Sequence, residues 1–215
     1  MKTHKAIFGV FTAMILGAFV ITSCSNEEVT TTTQTKVTAK EIGEIPIMRD
    51  ELWKNVSETL QREKESLNEE RAYEILKPAI GHSLTKLRSY GFTDKDFAEL
   101  LNISENEARL LDSINIYNVS REIQLDIATA GHQLFLLEEV SNNANSTIEQ
   151  IKDCFLEATG IAAGVAIINL LAEQALTNTL VIQAIKAAVK AIGPRTLGFV
   201  GLGLMAAEFI WCMNR

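Results

Sequence analysis

From Pro46 onward the apolar residues fall at helical spacing. Leu52, Val56, Leu60 and Leu67 recur mostly every four positions with Trp53 beside them, and Glu51, Lys54, Glu58, Arg62 and Glu65 fill the gaps. A stripe of this kind opposite a charged face predicts an amphipathic helix over roughly 48–66, its charges solvated. Asn68 is placed to cap a second helix that turns Ala72, Ile75 and Leu76 inward. Pro78 has no N–H to donate and is expected to interrupt it. Ile80, Leu84, Leu87 and Tyr90 carry the stripe on to Gly91, a residue suited to ending a helix.

Thr93-Asp94-Lys95-Asp96 and Ser104-Glu105-Asn106-Glu107 read as capping boxes, in which the hydroxyl and the acid satisfy free backbone N–H groups. The first opens a short helix through Phe97, Leu100 and Leu101. The second opens a helix carrying Ala108, Leu111 and Ile114 toward Tyr117. The next helix turns Ile123, Ile127, Leu134, Leu137 and Val140 inward and ends in the run from Asn142 to Ser146. The stretch from Phe97 has the outline of a helix-turn-helix. That outline also turns the corner of any small bundle, and no basic cluster accompanies it, so nucleic acid is not an expected partner.

Beyond Thr147 the pattern becomes apolar all round. A third capping box, Thr147-Ile148-Glu149-Gln150, opens a first segment whose stretch from Ala158 to Ala172 carries no charge. Leu176 to Ile192 is amphipathic, with Lys186 and Lys190 toward the end that the helix dipole favours for cations. Gly193-Pro194 ends it, and Thr196 to Met213 follows with Glu208 as its single charge. A transmembrane hairpin is one reading. The uncharged run falls short of the ~18 residues of a span, and the middle segment carries two lysines. Three central helices of a bundle are the better expectation.

The N-terminus reads differently. Lys2 and Lys5 precede an apolar run from Ala6 to Ile21, which closes on Ile21-Thr22-Ser23-Cys24. A charged start, an apolar middle and small residues form an export leader, too short for a span of roughly 20 residues. An aliphatic residue, two small residues and a cysteine form a lipobox, so residues 1–24 resemble the signal peptide of a bacterial lipoprotein. The resemblance implies cleavage before Cys24, diacylation of its sulphur and acylation of the new amino group. Ser25 is compatible with outer-membrane sorting in that family, and Glu27-Glu28 looks like the acidic export signal of some surface-displayed members. Residues 24–45 are polar and without helical period, and are expected to form a disordered lipidated tether reaching at most roughly 70 Å. Loss of Lys2 and Lys5 with the leader takes the net charge from −7 to −9. So acidic a chain will not gather phosphate backbones or an anionic bilayer by charge; lipid must hold it to the membrane.

Candidate chemistry is sparse. His82 and His132 both sit in Gly-His-x-Leu-x-x-Leu, a repeat that would offer two imidazoles to a metal. Zinc wants three protein ligands, and partly buried structural histidines are the simpler reading. Glu208, in an apolar helix, is expected to pair with Lys186, Lys190 or Arg195, or to lie at the surface. Cys154 and Cys212 are the two cysteines left once Cys24 carries lipid. If the three apolar segments run up, down, up, these two lie roughly 20–25 Å apart, too far for a bridge unless a break at Gly160 folds the first turns back. A disulfide is therefore not expected. No serine-nucleophile, zinc-protease or phosphate-loop motif occurs.

The expected fold is all-α: a multi-helix bundle over 46–215, amphipathic in 46–141, with an apolar three-helix core in 147–215, behind the leader 1–23 and the tether 24–45. The expected role is that of a lipid-anchored envelope lipoprotein, with no cofactor and no catalysis, serving as a structural or interaction module for an envelope protein partner. Outer-membrane attachment, facing the periplasm or the surface, is the expected location. The alternatives are a membrane-active helical effector of bacteriocin or toxin type, and a metal-dependent hydrolase using His82 and His132.

Overall fold

The structure is a computed structural model that describes residues 50–142, 153–154 and 177–213. The tether, the capping box at Thr147 and the uncharged run 158–172 lie outside the described residues. Those described belong to one compact unit and are all-α, with seven α-helices among them.

The first helix, α1 (Glu51–Glu63), continues as a 3-10 turn over Lys64–Ser66, close to the span its pattern predicts. Asp50 caps it by accepting from the Trp53 N–H at 3.1 Å. Asn68 caps α2 (Glu69–Ser89) as expected, accepting from the Arg71 N–H at 2.9 Å. Pro78 does not interrupt α2. It stands on the exposed face, where the carbonyl it cannot serve faces water, while Ile75, Leu76, Ala79 and Ile80 keep the buried face continuous. Tyr90 and Gly91 end the helix, with Gly91 at φ 94° and the Phe92 N–H returning to the Leu87 carbonyl.

Both capping boxes of the middle region form, opening α3 (Asp94–Leu101) and α4 (Glu105–Arg109). α4 is shorter than its stripe suggests. Asp112 Oδ1 accepts from the Ile114 and Asn115 N–H groups at 2.8 and 2.7 Å, a local turn that competes with further helix. Leu110 and Ile114 are left 71% and 79% exposed, and Ile116 becomes the buried anchor of a 3-10 turn.

α5 (Arg121–Asn142) is buried from Gln124 to Glu138 on every side. It packs on α2, on α6 (Asn178–Ile192) and on α7 (Pro194–Met213); α7 also packs on α1 and α2. The close approach of α2 and α5 needs Gly131, where an added Cβ would fall 1.8 Å from Ser83 Oγ. So a helix that is enclosed on every side carries Gln124, Asp126, Thr129, His132, Gln133 and Glu138.

Gly193, at φ 60°, ends α6 as the sequence predicts. α7 is broken at Gly198 (φ 67°, ψ −175°). There Glu69, from the start of α2, accepts from the Phe199 N–H at 3.0 Å and lies 3.5 Å from the Val200 N–H. A carboxylate from another helix thus serves as the cap that the chain lacks locally. α7 is long and apolar enough to cross a membrane, and half of that span is buried within the bundle.

Cys154 and Cys212 form a disulfide, with Cα atoms 5.4 Å apart. This corrects the expectation. The separation of ~20–25 Å assumed parallel first and third segments, whereas the start of the first lies against the end of α7.

Candidate functional site

His82, Thr85, Lys86 and Ser89 recur at three- and four-residue steps and so share one face of α2. With Asp50, Glu51 and Leu52 at the start of α1 they line an open cleft of ≈ 420 Å³. Its floor is a chain of ion contacts. Lys86 Nζ donates to Asp50 Oδ2 at 3.0 Å and to Glu138 Oε2, and Tyr90 donates to Glu138 Oε1 at 2.6 Å. His82 Nε2 lies 2.9 Å from Asp50 Oδ2. The side chains of Asp50, Lys86 and Glu138 are 1%, 7% and 2% exposed, against 39% for His82.

The acid–base state follows from these contacts. Burial works to raise the Asp50 carboxyl. Hydrogen bonds from His82 and Lys86, the Lys86 charge and the Trp53 N–H outweigh it and hold the group at about 2. Asp50 is therefore a carboxylate that only accepts, so in this contact His82 donates from Nε2. Burial pushes Glu138 above the usual carboxylate range, against the hydrogen bonds from Lys86 and Tyr90. A buried cation between two acids is stabilised only because each charge is also hydrogen-bonded.

His132 shares none of this. It is fully buried, its ring 5.1 Å from that of Trp53 and 6.2 Å from that of Phe135. Neither ring nitrogen has a hydrogen-bond partner, and burial drives its pKa down to about 3. It is a neutral core residue at neutral pH. His82 instead is tied to Asp50, so the repeated Gly-His motif marks two helix contacts: Gly81 abuts Tyr117 and Gly131 abuts Ser83. Among the described residues no group of three or more His, Cys, Asp or Glu stands ready to hold a metal.

Glu208 is paired, though with Lys64 at 3.4 Å rather than with any of the three expected cations. Lys186 bonds Asp96 and Glu99, and Arg195 bonds Asp126 at 2.8 Å and the Leu101 carbonyl at 3.2 Å. These last groups edge a second cleft of ≈ 440 Å³ between α3 and the α6–α7 corner. Burial raises Asp126 despite the Arg195 guanidinium. Cys24 lies outside the described residues.

Sequence reasoning missed Asp50, Lys86, Tyr90 as an ion partner, and Glu138. One signal was present: Lys86 stands four residues before Tyr90, which the stripe already turned inward. The fold and the cleft together define an all-α bundle with a buried ion network at one end of its α1–α2 corner. Comparison with known protein families, with curated proteins and with solved structures finds no match for this chain.

Proposed function

We propose that this chain is a lipid-anchored envelope protein that works as a structural or interaction module without catalysis of its own. The observation that carries the reading is the state of its three cysteines. Two are joined as Cys154–Cys212, a bond that persists in an oxidising compartment. The third, Cys24, follows Ile21-Thr22-Ser23 at the close of an export leader, where a lipobox places the acylated residue. Leu110 and Ile114 add support for a partner, since no packing among the described residues accounts for holding them in water. The membrane-active alternative rests on the apolar block from Thr147 to Met213; for its last helix, α7, the burial of half of the span in the bundle weighs against it.

The test is mass spectrometry of the native protein after export. A mature chain beginning at Cys24 with diacylglyceryl and acyl groups is the expected result. Cys24→Ala is expected to abolish the modification and release the protein from the membrane fraction. A native chain that begins at Met1 with a free thiol at position 24 overturns the reading.

A further inference from the structure

The outer faces of α1 and α2 are polar, with Glu51, Glu58 and Arg62 exposed on one and Glu70, Arg71 and Glu74 on the other. The outer face of α7 is not. Beyond the break at Gly198, Val200, Leu204, Glu208 and Trp211 recur at three- and four-residue steps and so share one side of the helix, opposite Leu202, Ala206 and Phe209 in the core. Leu204 and Trp211 are 37% and 39% exposed. Leu197 extends this face back across the break: it is 40% exposed, and its Cβ stands 2.7 Å from where a Cβ on Gly201 would fall. Glu208 is the one charge among these residues, and Lys64 of α1 meets it at 3.4 Å.

A stripe of leucine, valine and tryptophan along a surface helix marks a face that something covers. A second copy of the chain is a poor fit. Three side chains less than half exposed offer on the order of 200 Å², whereas a stable dimer takes ~800 Å² from each partner. The rest would have to come from the polar face of α1, which packs beside α7. A bilayer needs no matching surface, and leucine and tryptophan are the side chains that enter the boundary between headgroups and acyl chains. A lipid at Cys24 and a tether reaching at most roughly 70 Å keep the bundle within range of one.

We infer that the outer face of α7 rests on the bilayer that holds Cys24, with the helix in the membrane plane and Leu197, Leu204 and Trp211 set into the acyl boundary. The inference rests on the reading of Cys24 as the lipid anchor. α7 lies on the membrane and does not cross it, because half of its span is buried in the bundle. Glu208 and Lys64 stay at headgroup level, each cancelling the other's charge, so the contact needs no anionic lipid. So small a contact does not hold a free bundle on a membrane. The tether makes the same contact intramolecular, at an effective concentration on the order of mM, and there it forms.

The chain's two tryptophans make the test direct, since Trp53 is 0% exposed and Trp211 lies on the face in question. The native lipidated protein is reconstituted into phosphatidylcholine vesicles with and without brominated acyl chains, which quench a tryptophan that enters the bilayer. The brominated lipid is expected to remove the Trp211 share of the emission and leave the Trp53 share, and Trp211→Phe is expected to end the effect. Leu204→Glu is expected to abolish the quenching while the protein still floats with the vesicles; Leu204→Phe is expected to keep it, as is Ile114→Asn on the turn after α4. Helical circular dichroism checks that each variant is folded, and Leu197→Asn, on the same face, takes the place of Leu204→Glu if that one is not. Protein that floats with Trp211 unquenched overturns the inference and leaves the anchor standing, and quenching that survives both Leu197→Asn and Leu204→Glu overturns it too. Protein that does not float overturns the anchor, and the bilayer as occupant with it. A dimer in detergent that Leu204→Glu dissociates assigns the face to a second copy and overturns the inference as well.

Discussion

Removing the Cys154–Cys212 bridge tests the fold where it departs most from what the sequence suggests. The bond spans 58 residues of chain. Cross-linking a loop of that length takes conformational freedom from the unfolded chain worth about 4 kcal/mol at 25 °C in the chain-entropy account. Cys154 and Cys212 are 1% and 9% exposed, so reductant reaches the native bond slowly and substitution is the cleaner perturbation. The double variant Cys154→Ala, Cys212→Ala is the one to compare with the parent in urea unfolding followed by helical circular dichroism. With a slope near 2 kcal/mol per M, the midpoint is expected to fall by about 2 M. The slope itself is expected to rise, because an unbridged unfolded chain exposes more surface; lost packing alone leaves it unchanged. A midpoint that moves by less than roughly 0.5 M, with no change of slope, would refute the placement of Cys154 against the end of α7.

Further outcomes follow from the buried ion network, from His132 and from the break in α7. Lys86→Met leaves Asp50 and Glu138 as carboxylates without their cation and is expected to cost about 3–5 kcal/mol in urea unfolding; adding Asp50→Asn and Glu138→Leu is expected to recover most of that. Stability is expected to fall as pH drops below 6.5, because the His132 pKa is about 3 when folded against 6.5 as reference, so the unfolded chain takes up the proton first. By pH 4 that amounts to about 3 kcal/mol, which His132→Leu is expected to abolish; equal acid sensitivity in that variant would count against a dry, unpaired imidazole. Asp50 adds a second loss in the same direction as pH falls from 3.8 toward 2, while Glu138, whose pKa is raised, favours the folded state on the acid side and gives that up as pH rises. Gly198→Ala forces a side chain into a conformation that glycine alone adopts readily and sets its Cβ 2.1 Å from Glu69 Oε1, so a thermal midpoint unchanged from the parent would refute the break in α7. Glu69→Ala removes only the cap and is expected to cost about 1 kcal/mol.

Local signals wrote much of the helix inventory into the chain. Asn68, Thr93, Ser104, Gly91 and Gly193 act through backbone groups within four residues, so their caps and stops form where the sequence places them. The four-residue stripes of α1 and α2 likewise fix which faces turn inward, and the expectation of an export leader before Cys24 rests on residue order alone. Pairings across the fold left no such trace. Lys86 meets Glu138 over 52 positions, Glu69 reaches Phe199 over 130, and Cys154 meets Cys212 over 58. Each depends on the direction in which one helix passes another, and periodicity within a helix carries no information about its neighbour's heading. For the same reason polarity along one helix does not report how deeply that helix is buried. A helix such as α5 can be enclosed on every side with Asp126, Glu138 and Gln124 along it, because contacts such as Arg195 to Asp126, Lys86 to Glu138 and Tyr73 to Gln124 come from elements far away in the chain.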